Sequence, residues 1–254
     1  MKRFAVAVTG GVLSACLIGG VAQAQTATAG ATKDTTLYEF PTGDLGNGSG
    51  AYMFAGRTGQ VELSIRRAVL AFDIASVVPA GSTITGVSLR LYMSKTPTGA
   101  STQSLHRTMA NWGEGASNDS GEEGNGTGAQ TGDATWLHTF YSDSFWTTPG
   151  GDFAGVASAS TVVSGVGFYT WSGAGLISDV QSWLDAPSTN FGWTILGDES
   201  QSRTSKRYNT SENGSASTRP QLTINYVVPA PGTLVPLGAG LLLATRRRRA
   251  TARA

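Results

Sequence analysis

Cysteine is almost missing from this chain. The single Cys16 lies near the amino terminus, so the middle has no disulfide, no cysteine nucleophile and no thiolate metal cluster. Histidine is nearly as scarce: His106 and His138 are the only two, and their separation is not that of a metal pair. No Gly-x-Ser-x-Gly elbow, Walker loop or His-Glu-x-x-His sequence is present, which removes the simplest routes to hydrolase, nucleotide-binding and metalloprotease chemistry. Charge is sparse too, at 14% of residues. Of the 18 Lys and Arg, seven sit at the two ends (Lys2, Arg3, Arg246 to Arg249 and Arg253), and the other 11 face 17 acidic residues, so the middle carries −6. An acidic middle without a basic stripe is a poor nucleic-acid binder.

What is plentiful is glycine, with 34 residues, beside 40% hydrophobic residues. That composition is too apolar for disorder and fits a loop-rich all-β chain. Residues 33–227 suit one domain of roughly 200 residues, long enough to bury a sizeable core.

Both ends read as addresses. Lys2 and Arg3 precede an apolar stretch from Phe4 to Val21, and Ala22-Gln23-Ala24 is a small-x-small cleavage site before Gln25. Residues 1–24 are therefore expected to be a secretory signal cut after Ala24. A rival reading stays open, because Leu13-Ser14-Ala15-Cys16 resembles a bacterial lipobox, which would make Cys16 a lipid anchor. Residues 25–32 are small and read as a linker.

The clearest periodicity runs from Arg66 to Ser94. Ala68, Leu70, Phe72 and Ile74 alternate with Arg67, Val69, Ala71 and Asp73. After Pro79-Ala80-Gly81 the alternation resumes, with Val87, Leu89, Leu91 and Met93 inward and Ser88, Arg90 and Tyr92 outward. A period of two predicts two antiparallel strands, each with one face on a core and the other facing water or a second layer. Further strands are expected at Thr35 to Phe40, Ser104 to Met109, Phe153 to Ser160, Gly167 to Trp171, Gly192 to Leu196 and Gln221 to Tyr226. One helix is expected over Ala174 to Asp185, where Leu176, Ile177, Val180, Trp183 and Leu184 share a face and Pro187 closes it.

Asn111 to Gly132 is a long polar tract holding Glu114, Asp119, Glu122 and Glu123. Such a loop offers oxygen ligands, and Asp119, Glu122 and Glu123 are candidate Ca²⁺ ligands, although their spacing is not that of an EF-hand. The alternative is a solvated loop. Sugar rings pack on aromatic faces. Of the six tryptophans, Trp183 and Trp193 sit on apolar faces. Trp112, Trp136, Tyr141 and Trp146 lie in or beside polar loops and are the candidate carbohydrate platform, or else plugs at the ends of the fold. Arg203, Lys206 and Arg207 offer a cationic supplement or a solvated loop. His138 and Tyr141, with Arg107, could form a proton-abstracting set of the kind polysaccharide lyases use.

Several of these pieces resemble the DNRLRE-domain family. Leu70-Ala71-Phe72-Asp73 through Leu89-Arg90-Leu91-Tyr92 is similar to its Phe-Asp strand, Pro-Ala-Gly turn and Leu-Arg-Leu strand. Trp112-Gly113-Glu114, Ala134-Thr135-Trp136, Leu176 to Leu184, Asn190-Phe191-Gly192-Trp193 and Arg219-Pro220-Gln221-Leu222 resemble later elements. The family's Ser-x-Arg-Glu element is represented by Thr210-Ser211-Glu212-Asn213, with Arg207 displaced upstream. The resemblance implies an all-β, jelly-roll-like antiparallel β-sandwich with one short helix, related to carbohydrate-binding modules and found on secreted bacterial proteins.

The carboxyl end, residues 228–254, runs from Pro229-Ala230-Pro231 through an apolar span, Thr233 to Thr245, to Arg246-Arg247-Arg248-Arg249. This order resembles the PEP-CTERM sorting signal, with Ala230 where the acidic residue usually stands. Tyr226 to Thr245 is 20 residues, about the length that crosses a bilayer, and the arginines would stay cytoplasmic. A membrane helix is thus expected at each end. The resemblance implies recognition by an exosortase, cleavage near Pro231 and release to the surface. The combined expectation is an exported, non-catalytic protein that binds polysaccharide or builds matrix, transiently anchored in the inner membrane and not binding nucleic acid. A polysaccharide lyase or hydrolase, or a purely structural adhesion module, are the alternatives.

Overall fold

The structure is a computed structural model, and it describes residues 23–229. The first strands are β1 (Gln23–Gly30), β2 (Lys33–Tyr38), β3 (Leu45–Gly46), β4 (Tyr52–Arg57), β5 (Ile65–Ala71), β6 (Thr83–Lys95) and β7 (Ser101–Arg107). Three short ones follow, β8 (Thr127–Gly128), β9 (His138–Phe140) and β10 (Ser144–Phe145). Then come β11 (Ala159–Val163), β12 (Gly167–Ser172), helix α1 (Ala174–Asp185), β13 (Trp193–Leu196), β14 (Lys206–Asn209) and β15 (Gln221–Val228).

These elements build an all-β sandwich from one curled antiparallel sheet. In the first layer β6 pairs with β12 along one edge, and with β15 and then β14 along the other. In the second layer β5 pairs with β2 on one edge and β13 on the other, followed by β7 and β11. Strand β4 joins the layers. Its residues Tyr52 to Ala55 pair with β14, whereas Gly56 and Arg57 pair with Arg66 and Ile65. The corner is at Gly56, whose φ of 112° suits a residue without Cβ. A Cβ there would also meet the backbone of Thr204 and Ser205 at 3.0 Å.

The two strands with the clearest alternation, β5 and β6, lie in opposite layers and are not hydrogen-bonded to each other. Their inward residues meet across the core: Ala68 and Leu70 with Phe72 and Ile74 beyond them, against Val87, Leu89, Leu91 and Met93. The chain turns between them at Pro79 to Ser82. Gly81 takes φ 78° and the Ser82 N–H donates to the Pro79 carbonyl at 3.2 Å, a type II turn that requires glycine at its third position.

Helix α1 forms over the expected residues and buries Leu176, Val180, Trp183 and Leu184. It docks on the start of β6, where the Ile84 N–H donates to Gln181 Oε1 at 2.9 Å. Buried Asp179 accepts from Trp193 Nε1 at 2.8 Å and from Ser158 Oγ at 2.5 Å. The Trp183 and Trp193 rings meet edge-on with centroids 4.6 Å apart.

Two expectations are corrected. Residues 25–32 are largely strand, not linker: β1 lines the outer side of β15, with Thr26 Oγ1 donating to Asn225 Oδ1 at 2.8 Å and Tyr226 Oη to Gln25 Oε1 at 3.0 Å. Ala24, the expected cleavage residue, falls inside this strand. Phe153 to Ser160 is mostly irregular; the strand starts only at Ala159, where pairing with β7 begins. Strands β4 and β14 were unexpected, because their glycine, charged and polar residues break the alternation. Residues 1–22 of the expected signal and the tail beyond Pro229, with Pro231 and Arg246 to Arg249, lie outside the described residues. Among those described, no helix is long and apolar enough to cross a membrane.

Replacing Asp179 with Ala strands two donors and is expected to lower unfolding stability by about 1–3 kcal/mol, the cost of leaving a buried polar group without its partner. Urea denaturation checks this. Asp179→Asn keeps an acceptor and should lose clearly less; equal losses would show that acceptor capacity is not what matters.

Candidate functional site

Strand β5 is buried on both faces. Its outward Val69 and Ala71 form a second cluster with Leu37, Trp112, Ala134 and Trp146, so the long loop after β7 is a lid over the sheet. The loop's aromatic residues are used there. Trp112 is 0% exposed and its Nε1 donates to the Phe191 carbonyl at 2.9 Å. Trp146 is buried and its Nε1 donates to the Thr135 carbonyl at 2.9 Å. Neither ring offers a face to a sugar, which corrects the expectation for both; an apolar outer sheet face had to be covered, and these indoles cover it. Trp136 is half-buried under Arg67, whose guanidinium lies 5.0 Å from its ring and is held by Glu199 at 2.8 and 2.9 Å. Tyr141 is half-buried against His138, ring centroids 5.0 Å apart. The four residues do not line one open groove.

The histidines are tied into the framework. His138 Nδ1 is within hydrogen-bond distance of Thr135 Oγ1 and the Gly43 carbonyl, and His106 bridges Ser104 and the Ala154 carbonyl. Arg107 reaches instead to Ser182 and over Trp183, so it joins different partners from His138 and Tyr141.

The expected Ca²⁺ ligands do not converge, which corrects that assignment. Glu123 is buried, with φ 59°, and its carboxylate accepts from Asn47 Nδ2 at 2.8 Å, Ala51 N at 3.1 Å and Tyr52 N at 2.9 Å. Three N–H donors aimed at it would repel a cation. Exposed Glu122 pairs with Lys95 at 2.7 Å and Arg207 at 2.8 Å. Asp119 Oδ1 accepts from the Ser120 N–H at 2.8 Å. The basic supplement is also used: Lys206 is buried with its Nζ on Thr96, Thr98 and Gly99, and Arg207 lies 3.8 Å from the Tyr52 ring centroid. Arg203 stays exposed.

Three other carboxylates do meet. Asp34 of β2, Glu114 of the lid and Glu212 of the β14–β15 loop each offer an oxygen within 4.8 Å of the other two. The Asp34 N–H donates to Glu114 Oε1 at 2.7 Å, and the Ser211 N–H donates to Asp34 Oδ2 at 2.9 Å. Burial holds the Asp34 carboxyl well above the usual range, and Glu212 adds to the shift. Burial raises Glu114 to about 7. Burial lowers the neighbouring Lys33, whose Nζ donates to the Trp112 carbonyl at 2.6 Å.

A second feature lies on the outer face of the first layer. Outward Arg90 stands opposite Gln221 of β15 and Thr170 of β12, and Tyr92 stands opposite Phe168. Phe168 is 47% exposed and meets Tyr92 edge-on at 4.9 Å, while the Arg90 guanidinium stacks over it at 4.6 Å. Arg90 also lines a cleft of about 360 Å³ with Arg219, Gln221 and Ser217. The outward positions of Arg90 and Tyr92 are legible from alternation; their juxtaposition with Phe168 depends on a pairing that alternation does not reveal.

Glu123→Ala should cost about 2–4 kcal/mol, because it leaves buried donors unpaired, while Glu122→Ala should leave the thermal midpoint almost unchanged. Calorimetry distinguishes them, and equal effects would contradict the assignment. In EDTA, the folded chain holds the Glu114 proton above pH 4.5, where the unfolded chain releases it. Stability should therefore fall as pH rises from about 4.5 to about 7, and Glu114→Gln should flatten that slope in pH-dependent urea titrations.

The chain matches no family model and no curated protein.

Proposed function

We propose that this is an exported, non-catalytic protein of the jelly-roll kind that binds acidic polysaccharide with the outer face of β6 and β12. One observation carries the reading: Phe168 and Tyr92 form an aromatic pair on an open sheet face with Arg90 stacked on it. Sugar C–H groups pack on such a ring. Arg90 and Arg219, beside Gln221 and Thr170, supply forked donors that suit a uronate carboxylate and its hydroxyls. The middle of the chain carries −6, so a polyanion would be held by these local groups and not by a general basic field. The expected signal peptide and the PEP-CTERM-like tail support export and sorting by an exosortase, with passage through the inner membrane to the cell surface or matrix.

Assembly is the second reading, and it uses the same neighbourhood. Val166, two residues before Phe168 in the chain, is 61% exposed, and this added apolar surface also suits self-association.

Titration calorimetry of the purified full chain with polygalacturonate, alginate and a neutral glucan separates these readings. Polysaccharide binding predicts uptake of the acidic polymers, with Phe168→Ala and Arg90→Ala each weakening it about tenfold, the loss of roughly one good stacking or ionic contact. No binding to any polymer, together with concentration-dependent oligomers abolished by Phe168→Ala in light scattering, would favour assembly.

A further inference from the structure

Asp34 is the buried polar group for which the fold provides least. Its side chain is 0% exposed, yet Oδ1 has no hydrogen-bond partner. Its other oxygen, Oδ2, is taken by the Ser211 N–H at 2.9 Å. A buried carboxylate with a free oxygen is costly unless a cation or a proton completes it. Two further carboxylates, Glu114 and Glu212, approach the same point within 4.8 Å, and none of the three is ion-paired among the described residues. The nearest base, Lys33, has its Nζ on the Trp112 carbonyl and the Asn111 side chain. Three carboxylates so close repel one another unless a positive partner lies between them.

We propose that Asp34, Glu114 and Glu212 form a Ca²⁺ site. The donor set is oxygen only, as hard cations require. Oxygens within 4.8 Å of one another are close to the span of about 4.2 Å that three equidistant ligands keep around one Ca²⁺ at about 2.4 Å, and its flexible shell tolerates the small inward shift, whereas Mg²⁺ needs about 2.1 Å and a near-ideal octahedron. Glu212 is exposed, so water completes the shell from that side. The ion ties together β2, the beginning of the lid two residues after Trp112, and the β14–β15 loop, segments distant in sequence. It thereby fastens the cover of β5. The proposal does not depend on a polysaccharide ligand.

The test is calorimetric titration of the chelator-treated full chain with CaCl₂ and with MgCl₂, paired with thermal unfolding. One Ca²⁺ is expected per chain, with the melting midpoint raised by several degrees and a Mg²⁺ response at least tenfold weaker. Glu212→Gln, at an exposed position, should weaken Ca²⁺ binding at least tenfold without loss of folding. Asp34→Asn should abolish binding and, in EDTA, melt no lower than the parent, because it removes charge repulsion. If Asp34→Asn does not fold, Glu212→Gln decides. No heat or melting shift at millimolar CaCl₂, or Ca²⁺ binding undiminished in Glu212→Gln, would overturn the site.

Discussion

Strand β5 has no free face. Its inner side lies in the core shared with β6 and α1, and its outer side needs a second cover because Val69 and Ala71 are apolar as well. That requirement shapes much of the rest. A loop of ordinary polarity could not shield the sheet, so the segment after β7 carries two indoles into it and satisfies each indole N–H with a backbone carbonyl. Burying a tryptophan this way removes a large apolar surface from water and leaves no donor unpaired. The rings that looked available for sugar are therefore part of the fold. The proposed recognition surface lies instead on the first layer, where the outward residues Arg90 and Tyr92 of β6 stay partly exposed.

The lid also shows how environment decides what a carboxylate does. Glu123 and Glu114 lie in the same loop. Glu123 is met by three N–H donors and completes the protein's own hydrogen bonding. Glu114 is met by one N–H donor and by two other acids, so burial pushes its pKa up. The first arrangement is closed to a cation and the second invites one. Charge count alone does not separate them; the number and sign of the neighbours does.

Much of the fold was legible in the residues. Alternation places the inward faces of β5 and β6 correctly, the Pro79 to Ser82 turn follows from its proline and glycine, and α1 follows from apolar spacing closed by Pro187. Which strands pair was not legible, because alternation reports a strand's two faces and not its neighbours. Strands β1, β4 and β14 were hidden: the first is an edge strand of small residues, the second turns a corner at Gly56, and the third carries Lys206 inward where its ammonium finds carbonyls. The carboxylate cluster was out of reach for another reason. Residues 34, 114 and 212 meet only through tertiary structure, and no local spacing announces them. The Ser211-Glu212 element was visible as a resemblance, but its partners were not.

The most direct test of the account is hydrogen-exchange footprinting of the full chain with and without an acidic polysaccharide. The account predicts slowed exchange in residues 88–94 and 166–172, on the open face of β6 and β12, with the lid unchanged because its aromatic rings are already enclosed. Protection centred on residues 111–150 instead would mean that the lid opens to present its tryptophans, and would contradict the assignment of those rings to the fold.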